Sequence, residues 1–122
     1  MREIKFRAWD SQKKYWQYLD LRLDLAQGKV RLFWSKLEHW GQFTGLKDSK
    51  GVEIYEGDII GCKPLFENDK PYFEVFWGAL NEREMWGWLV KSDTGTYMLD
   101  YSILQGEVIG NIYENPELIK QP

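Results

Sequence analysis

Apolar residues recur at every second position through much of this chain. Ile4, Phe6 and Ala8 alternate with Lys5, Arg7 and Trp9, which is the period of a strand whose successive side chains point to opposite faces. Asp10-Ser11-Gln12-Lys13 reads as a turn and Lys14–Tyr18 as the returning strand. The clearest alternation follows in YLDLRLDL. There Leu19, Leu21, Leu23 and Leu25 interleave with Asp20, Arg22 and Asp24. A helix would scatter these leucines around its cylinder, whereas a strand lines them up as one stripe. Ala26-Gln27-Gly28-Lys29 carries a hairpin signal, and Val30–Trp34 returns. Ser35–Trp40 is ambiguous and also suits one helical turn.

Beyond Gly45 the apolar runs shorten and glycine-rich turns separate them. Val52–Tyr55 and Ile59–Lys63 flank Glu56-Gly57-Asp58, where glycine can supply positive φ and the aspartate can bind nearby backbone N–H groups. Pro64 to Pro71 reads as a loop. Tyr72–Trp77, Met85–Val90, Thr96–Tyr101 and Val108–Tyr113 read as further strands. Asn115-Pro116-Glu117 has a cap residue, a proline at the first helical position and an acid in the first turn. The expected fold is mainly β and occupies residues 1–122 as one domain. Residues 1–44 form an N-terminal β-meander. Residues 45–122 form a small SH3-like, partly open barrel with a short C-terminal helical turn.

Composition sharpens this picture. Seven Trp, seven Tyr and six Phe in 122 residues exceed what a small core needs, so some are expected at an interface. Cys62 and His39 are each the sole residue of their type, which excludes an internal disulfide and argues against a structural zinc site. No apolar run approaches the roughly 18 residues of a membrane span, and MREIKFRAWD has no signal-peptide core. A soluble cytoplasmic protein is expected. The net charge of −3 is divided unevenly. Residues 1–50 hold 11 Lys/Arg against 6 Asp/Glu, and residues 51–122 hold 5 against 13. Such halves can neutralise each other within the fold, dock one subunit on the next, or present a basic face to nucleic acid.

Candidate chemistry is sparse. Glu53, Glu56 and Asp58 are the one carboxylate group that invites a divalent cation, yet Glu53 and Glu56 lie three apart on extended chain and point to opposite faces. A turn is the expected role, with no metal or cofactor. His39 beside Glu38 lacks a GxSxG partner pattern and reads as a surface or interface histidine. Cys62 reads as a buried free thiol. Aromatic–basic interleaving is the best binding signal: Lys5, Arg7 and Trp9 share a strand face, and Arg31 adjoins Phe33 and Trp34. That set is a possible nucleic-acid face. Trp77, Trp86 and Trp88 suit core packing, a subunit interface, or a groove for an extended peptide.

Three separated blocks also carry a resemblance. IKFRAWD (Ile4–Asp10), QFTGLKDSKGVEIYEGDII (Gln42–Ile60) and EVIGNIYENPEL (Glu107–Leu118) are similar to the YopX family of phage and prophage proteins. The resemblance implies an intracellular phage protein with a β-rich fold, and it implies no catalytic or ligand residue. The matching positions are Arg7, Trp9 and Asp10; Thr44, Gly45, Leu46 and Asp48; Tyr55, Glu56, Gly57 and Asp58; and Gly110, Asn111, Asn115 and Pro116. Phe43 departs from the family pattern, which has tyrosine there. The expectation is a non-enzymatic binding or self-assembling protein, with a nucleic-acid-binding accessory role as the alternative and a metal-dependent hydrolase as a remote one. A homo-oligomer is expected, with an unidentified phage or host protein as a further partner. Arg7 is expected to pair with Glu56 or Asp58 and so tie the meander to the barrel.

Overall fold

The computed structural model describes residues 3–20, 26–27, 38–63, 70–80, 86–93 and 95–119. They form two antiparallel sheets. The first contains β1 (Lys5–Asp10), β2 (Tyr15–Asp20), β3 (Glu38–Lys47) and β4 (Glu53–Tyr55) in the order β2-β1-β3-β4. The second contains β5 (Asp58–Gly61), β6 (Tyr72–Ala79), β7 (Trp86–Ser92), β8 (Gly95–Met98) and β9 (Glu107–Asn111) in the order β8-β7-β6-β5-β9. A one-turn helix α1 (Tyr101–Leu104) precedes β9, and a 3-10 helix covers Pro116–Leu118.

The five strands expected after Gly57 are all present, as is the C-terminal helical turn. The sheets do not close into a barrel. β3 runs without interruption through residues 44 and 45, so the first sheet extends past the expected division to Tyr55. The expected strand Thr96–Tyr101 stops at Met98 because Asp100 caps a helix instead, accepting a bond from the Ser102 N–H at 3.1 Å. Ser35–Trp40 is resolved in favour of strand at its described end, since residues 38–40 begin β3. Leu21, Leu23, Leu25 and the Val30–Trp34 strand lie outside the described residues.

Turn chemistry sets the first hairpin. Asp10 Oδ1 accepts from the N–H groups of Gln12 and Lys13, both at 3.0 Å, and β1 then pairs with β2 so that Trp9 faces Trp16. β3 carries two irregularities. Opposite Ala8 and Trp9, residues Trp40 and Glu38 pair and His39 is left over as a bulge at φ 58°. Opposite β4, the register slips between Phe43 and Lys47, around Gly45 at φ 88°. The Thr44 hydroxyl bridges that slip by donating to Ile54 O at 2.8 Å and accepting from Leu46 N–H. The main core gathers Ile54 from the first sheet with Ile60, Phe73, Val75, Val90, Leu99 and Ile103 of the second half. Apolar burial therefore crosses between the sheets.

Candidate functional site

Glu56 and Gly57 are where the chain leaves one sheet and enters the other. Glu56 N–H donates to Gln42 O on β3 at 2.9 Å, while Gly57 N–H donates to Val75 O on β6 at 2.9 Å. The Gly57 carbonyl accepts from Ile112 N–H. Gly57 sits at φ 91°, a conformation that L side chains resist. The stretch is thus a bend, as its residue types imply.

Asp58, the next residue, is only 1% exposed. Its Oδ2 accepts from Tyr55 N–H at 2.7 Å, and its Oδ1 takes a bond from Arg7 at 2.5 Å. Arg7 is 5% exposed and comes from β1, so the expected pairing with the acidic half is present and Asp58 is the partner. The guanidinium carbon lies 3.9 Å from the Trp16 ring centroid and 4.9 Å from that of Tyr55, and Arg7 also approaches the Glu56 carbonyl at 3.5 Å. Two aromatic faces and a carboxylate form a cage filled by the protein's own cation. Burial pushes the Asp58 carboxyl up, opposed by the Arg7 charge and the Tyr55 N–H. Burial and the neighbouring Glu53 push the Tyr55 hydroxyl up to about 12, so that ring stays neutral.

The third block closes around the same point. Asn111 Oδ1 accepts from the N–H groups of Tyr113 and Glu114, and its Nδ2 donates to Glu114 Oε1 at 2.8 Å. Glu114 Oε1 also accepts from Trp16 Nε1 at 3.0 Å. Tyr113 packs against Trp16 at 5.8 Å and against His39 at 4.7 Å. Gly110 leaves room for Asn115: a Cβ there would overlap Asn115 Oδ1. Asn115 N–H in turn bonds Asn111 O, and Pro116 opens the 3-10 helix.

Asp48 holds a second junction. Its Oδ1 accepts from Lys50 and Val52 N–H and its Oδ2 from Val108 N–H on β9 at 2.8 Å. Burial alone would raise its carboxyl, but the N–H groups of Val108, Val52 and Lys50 outweigh it and hold the pKa below the ordinary value. Trp9, 5.2 Å from Trp16, is buried too.

These placements withdraw two residues of the expected nucleic-acid face from solvent. Arg7 and Trp9 are buried, and Lys5 bonds Glu53 at 2.8 Å and Glu3 at 2.9 Å. The alternation put Lys5, Arg7 and Trp9 on one face, but that face packs against Asp58, Tyr55 and Phe43. Arg31 lies outside the described residues. The carboxylates diverge as well: Glu53 goes to Lys5 and Asp58 to Arg7. Cys62 is half-buried, with its thiol raised by burial. His39 is exposed. Nothing in the local residue pattern marks Trp16 as a wall of the cage or Tyr113 and Glu114 as its neighbours, although the hairpin register opposite Trp9 points to Trp16.

Solvent meets a different set of residues. Trp77 on β6 is 49% exposed and Trp86 on β7 is 62% exposed. Trp77 pairs with Trp88 across the ladder and Trp86 with Ala79, so the three tryptophans share one face at the far end of the hairpin. Trp77 and Trp88 meet edge-on at 5.1 Å.

A β protein of two antiparallel sheets, joined by a buried arginine cage around which three separated sequence blocks close, is the class these features define. The sequence matches the YopX protein family over residues 5–120, and the chain belongs to that family. Its structure is similar to the crystal structure of protein EF1440 from Enterococcus faecalis, with a TM-score of 0.54 and 24% identity, covering 96% of this chain and 98% of that one. At that identity the likeness concerns the fold. No curated protein matches the sequence. No helix among the described residues is long and apolar enough to cross a membrane.

Proposed function

We propose that this chain is a non-enzymatic binding protein of a phage or prophage. It acts in the host cytoplasm by self-association through the tryptophan-bearing end of the β6–β7 hairpin. One observation carries the reading. The buried family-motif residues Arg7, Asp48, Asp58 and Asn111 are spent on backbone and side-chain bonds within the fold, while Trp77 and Trp86 stand in solvent on one face. Exposed indoles on a small rigid hairpin are the residues that anchor protein interfaces. The opposed charges of the two halves favour a second copy as the partner, with the basic half of one chain meeting the acidic half of the next.

Sedimentation equilibrium tests this directly. The expected mass exceeds the 14.6 kDa monomer and falls toward it at high salt. A double variant, Trp77→Ser with Trp86→Ser, should run as a monomer with an unchanged far-UV spectrum. A wild-type monomer at high concentration, or an assembly indifferent to both substitutions, overturns the proposal.

A further inference from the structure

The second sheet ends differently on its two sides. Strand β9 is capped by the chain itself. Val108 N–H donates to Asp48 Oδ2 at 2.8 Å, Gly106 O accepts from Ser49 N–H at 3.1 Å, and Asn111 exchanges bonds with Asn115. Strand β8, at the other end, has no neighbour beyond it among the described residues. Leu99 N–H donates to Trp88 O at 3.1 Å. By alternation Tyr97 also turns its backbone groups toward β7, and Thr96 and Met98 turn theirs outward. Asp100 N–H takes the Met98 carbonyl at 2.9 Å. Thr96 N–H, Thr96 C=O and Met98 N–H bond nothing among the described residues. Both side chains are exposed, Met98 by 52%.

We infer that β8 is the docking edge for an extended, basic segment of another protein, which adds to the sheet as a further strand. The inference does not depend on the self-association proposed above: β8 covers Leu89–Ser92 of β7, and Trp86 lies beyond that span. Edge strands are ordinarily blunted by charge, proline or a bulge. The β8 sequence GTYM has none of these, and its register with β7 is unbroken. A hollow of about 270 Å³ lies along the edge, lined by Thr96 and Met98 together with Leu80, Asp100 and Ile103. Strand addition uses such parts in this way: backbone bonds hold the segment, and a hollow takes one of its alternate side chains. Leu80, Met98 and Ile103 call for an apolar one. A second copy fits the edge less well. Pairing β8 with its own copy about Tyr97 would set Thr96 opposite the other Met98, whose carbonyl already serves Asp100. A foreign strand meets the three open groups with two carbonyls and one N–H of its own. Charge sets its flanks. Asp100 lines the hollow, and residues 51–122 hold 5 Lys/Arg against 13 Asp/Glu, so lysine or arginine is favoured there. Lys91, across the ladder from Thr96, is paired with Glu74.

Backbone amide spectra of the whole chain, titrated with the peptide acetyl-Lys-Thr-Val-Thr-Val-Thr-Lys-amide, test the edge. The Thr96 and Met98 amide signals should shift saturably, with half-saturation at about millimolar peptide. N-methylation of one alternate set of the peptide's amides should weaken binding at least about tenfold, and N-methylation of the other set should leave it intact, because only one side of a strand faces its neighbour. Glutamate in place of both lysines should weaken binding as well. Met98→Lys, at an exposed position, should bind the basic peptide about tenfold more weakly, with thermal melting to show that the variant folds. Equal binding of the two N-methylated peptides, or shifts that spare Thr96 and Met98, overturns strand addition. Tighter binding of the glutamate peptide overturns the basic partner. Protection of the Thr96 and Met98 amides that grows with protein concentration, without peptide, gives the edge to a second copy and overturns the foreign strand. Sedimentation keeps the two proposals apart. A monomer that binds the peptide refutes self-association and leaves the edge, and an oligomer that binds no peptide does the reverse.

Discussion

At the scale of single residues, the Arg7–Asp58 pair carries the greatest consequence. Both charges are withdrawn from water, so removing either one strands the other. Arg7→Ala and Asp58→Asn should each lower stability by about 3–5 kcal/mol in urea unfolding. The double variant should lose much less than the sum, because the second substitution removes an already stranded group. Additive losses would show that the two side chains do not interact. Arg7→Lys should rescue little, since an ammonium cannot stack between Trp16 and Tyr55 as a guanidinium does. Asp48 yields a pH prediction of definite sign. Its carboxyl is held below the ordinary value in the folded state. Its contribution is therefore complete above the unfolded pKa of about 3.9 and fades as pH falls through the lower folded value. In Asp48→Asn that part of the acid sensitivity should disappear, with a loss of about 1–3 kcal/mol at neutral pH. A wild-type and variant stability difference that stays flat from neutral pH to below pH ~3 would contradict it.

At the scale of elements, the bend at Gly57 makes the two-sheet arrangement possible. Gly57→Ala adds a Cβ that meets Ile112 and Tyr113 at ordinary contact distances, 3.6 Å and beyond. Its effect should therefore be the backbone penalty alone, about 1–2 kcal/mol. A loss well above that would mean that the bend also fails sterically. The bend was legible in the sequence because a glycine between two acids, flanked by apolar pairs, has few other uses. Strands β5, β6, β7 and β9 were legible for the same reason: alternation bounded by turn residues. Helix α1 was not, because Thr96–Tyr101 continues the alternation and the capping role of Asp100 depends on the chain turning first. The bulge at His39 was also hidden, since a one-residue slip leaves no mark on the local pattern. The burial of Arg7 and Trp9 has a general cause. Alternation says that Lys5, Arg7 and Trp9 share a side; only tertiary packing says that Asp58, Tyr55 and Phe43 cover it. The hint that Arg7 needs a carboxylate survived because a cation interleaved with core aromatics must find one.

At the scale of the whole molecule, the junctions decide whether two sheets unfold as one. Arg7 reaches from β1 to Asp58 on β5, Asp48 reaches from the end of β3 to Val108 on β9, and Ile54 enters the core of the second sheet. Ser49 N–H also bonds Gly106 O. With charged, polar and apolar links all crossing the same boundary, neither sheet keeps its buried surface when the other opens. The expected outcome is one cooperative transition. Far-UV circular dichroism follows both sheets, while fluorescence weights the tryptophans, so the two curves should coincide in urea. The Arg7→Ala variant makes the test sharper. Loss of one link should shift both curves together if the remaining links suffice. If the guanidinium is what couples the sheets, the fluorescence should split into two phases, with Trp9 and Trp16 of the β1–β2 hairpin responding first and Trp77, Trp86 and Trp88 of the β6–β7 hairpin later. Two resolved transitions in the unsubstituted protein would mean that the sheets are independent folding units, and the Arg7 cage would then be a contact between them instead of the feature that makes them one.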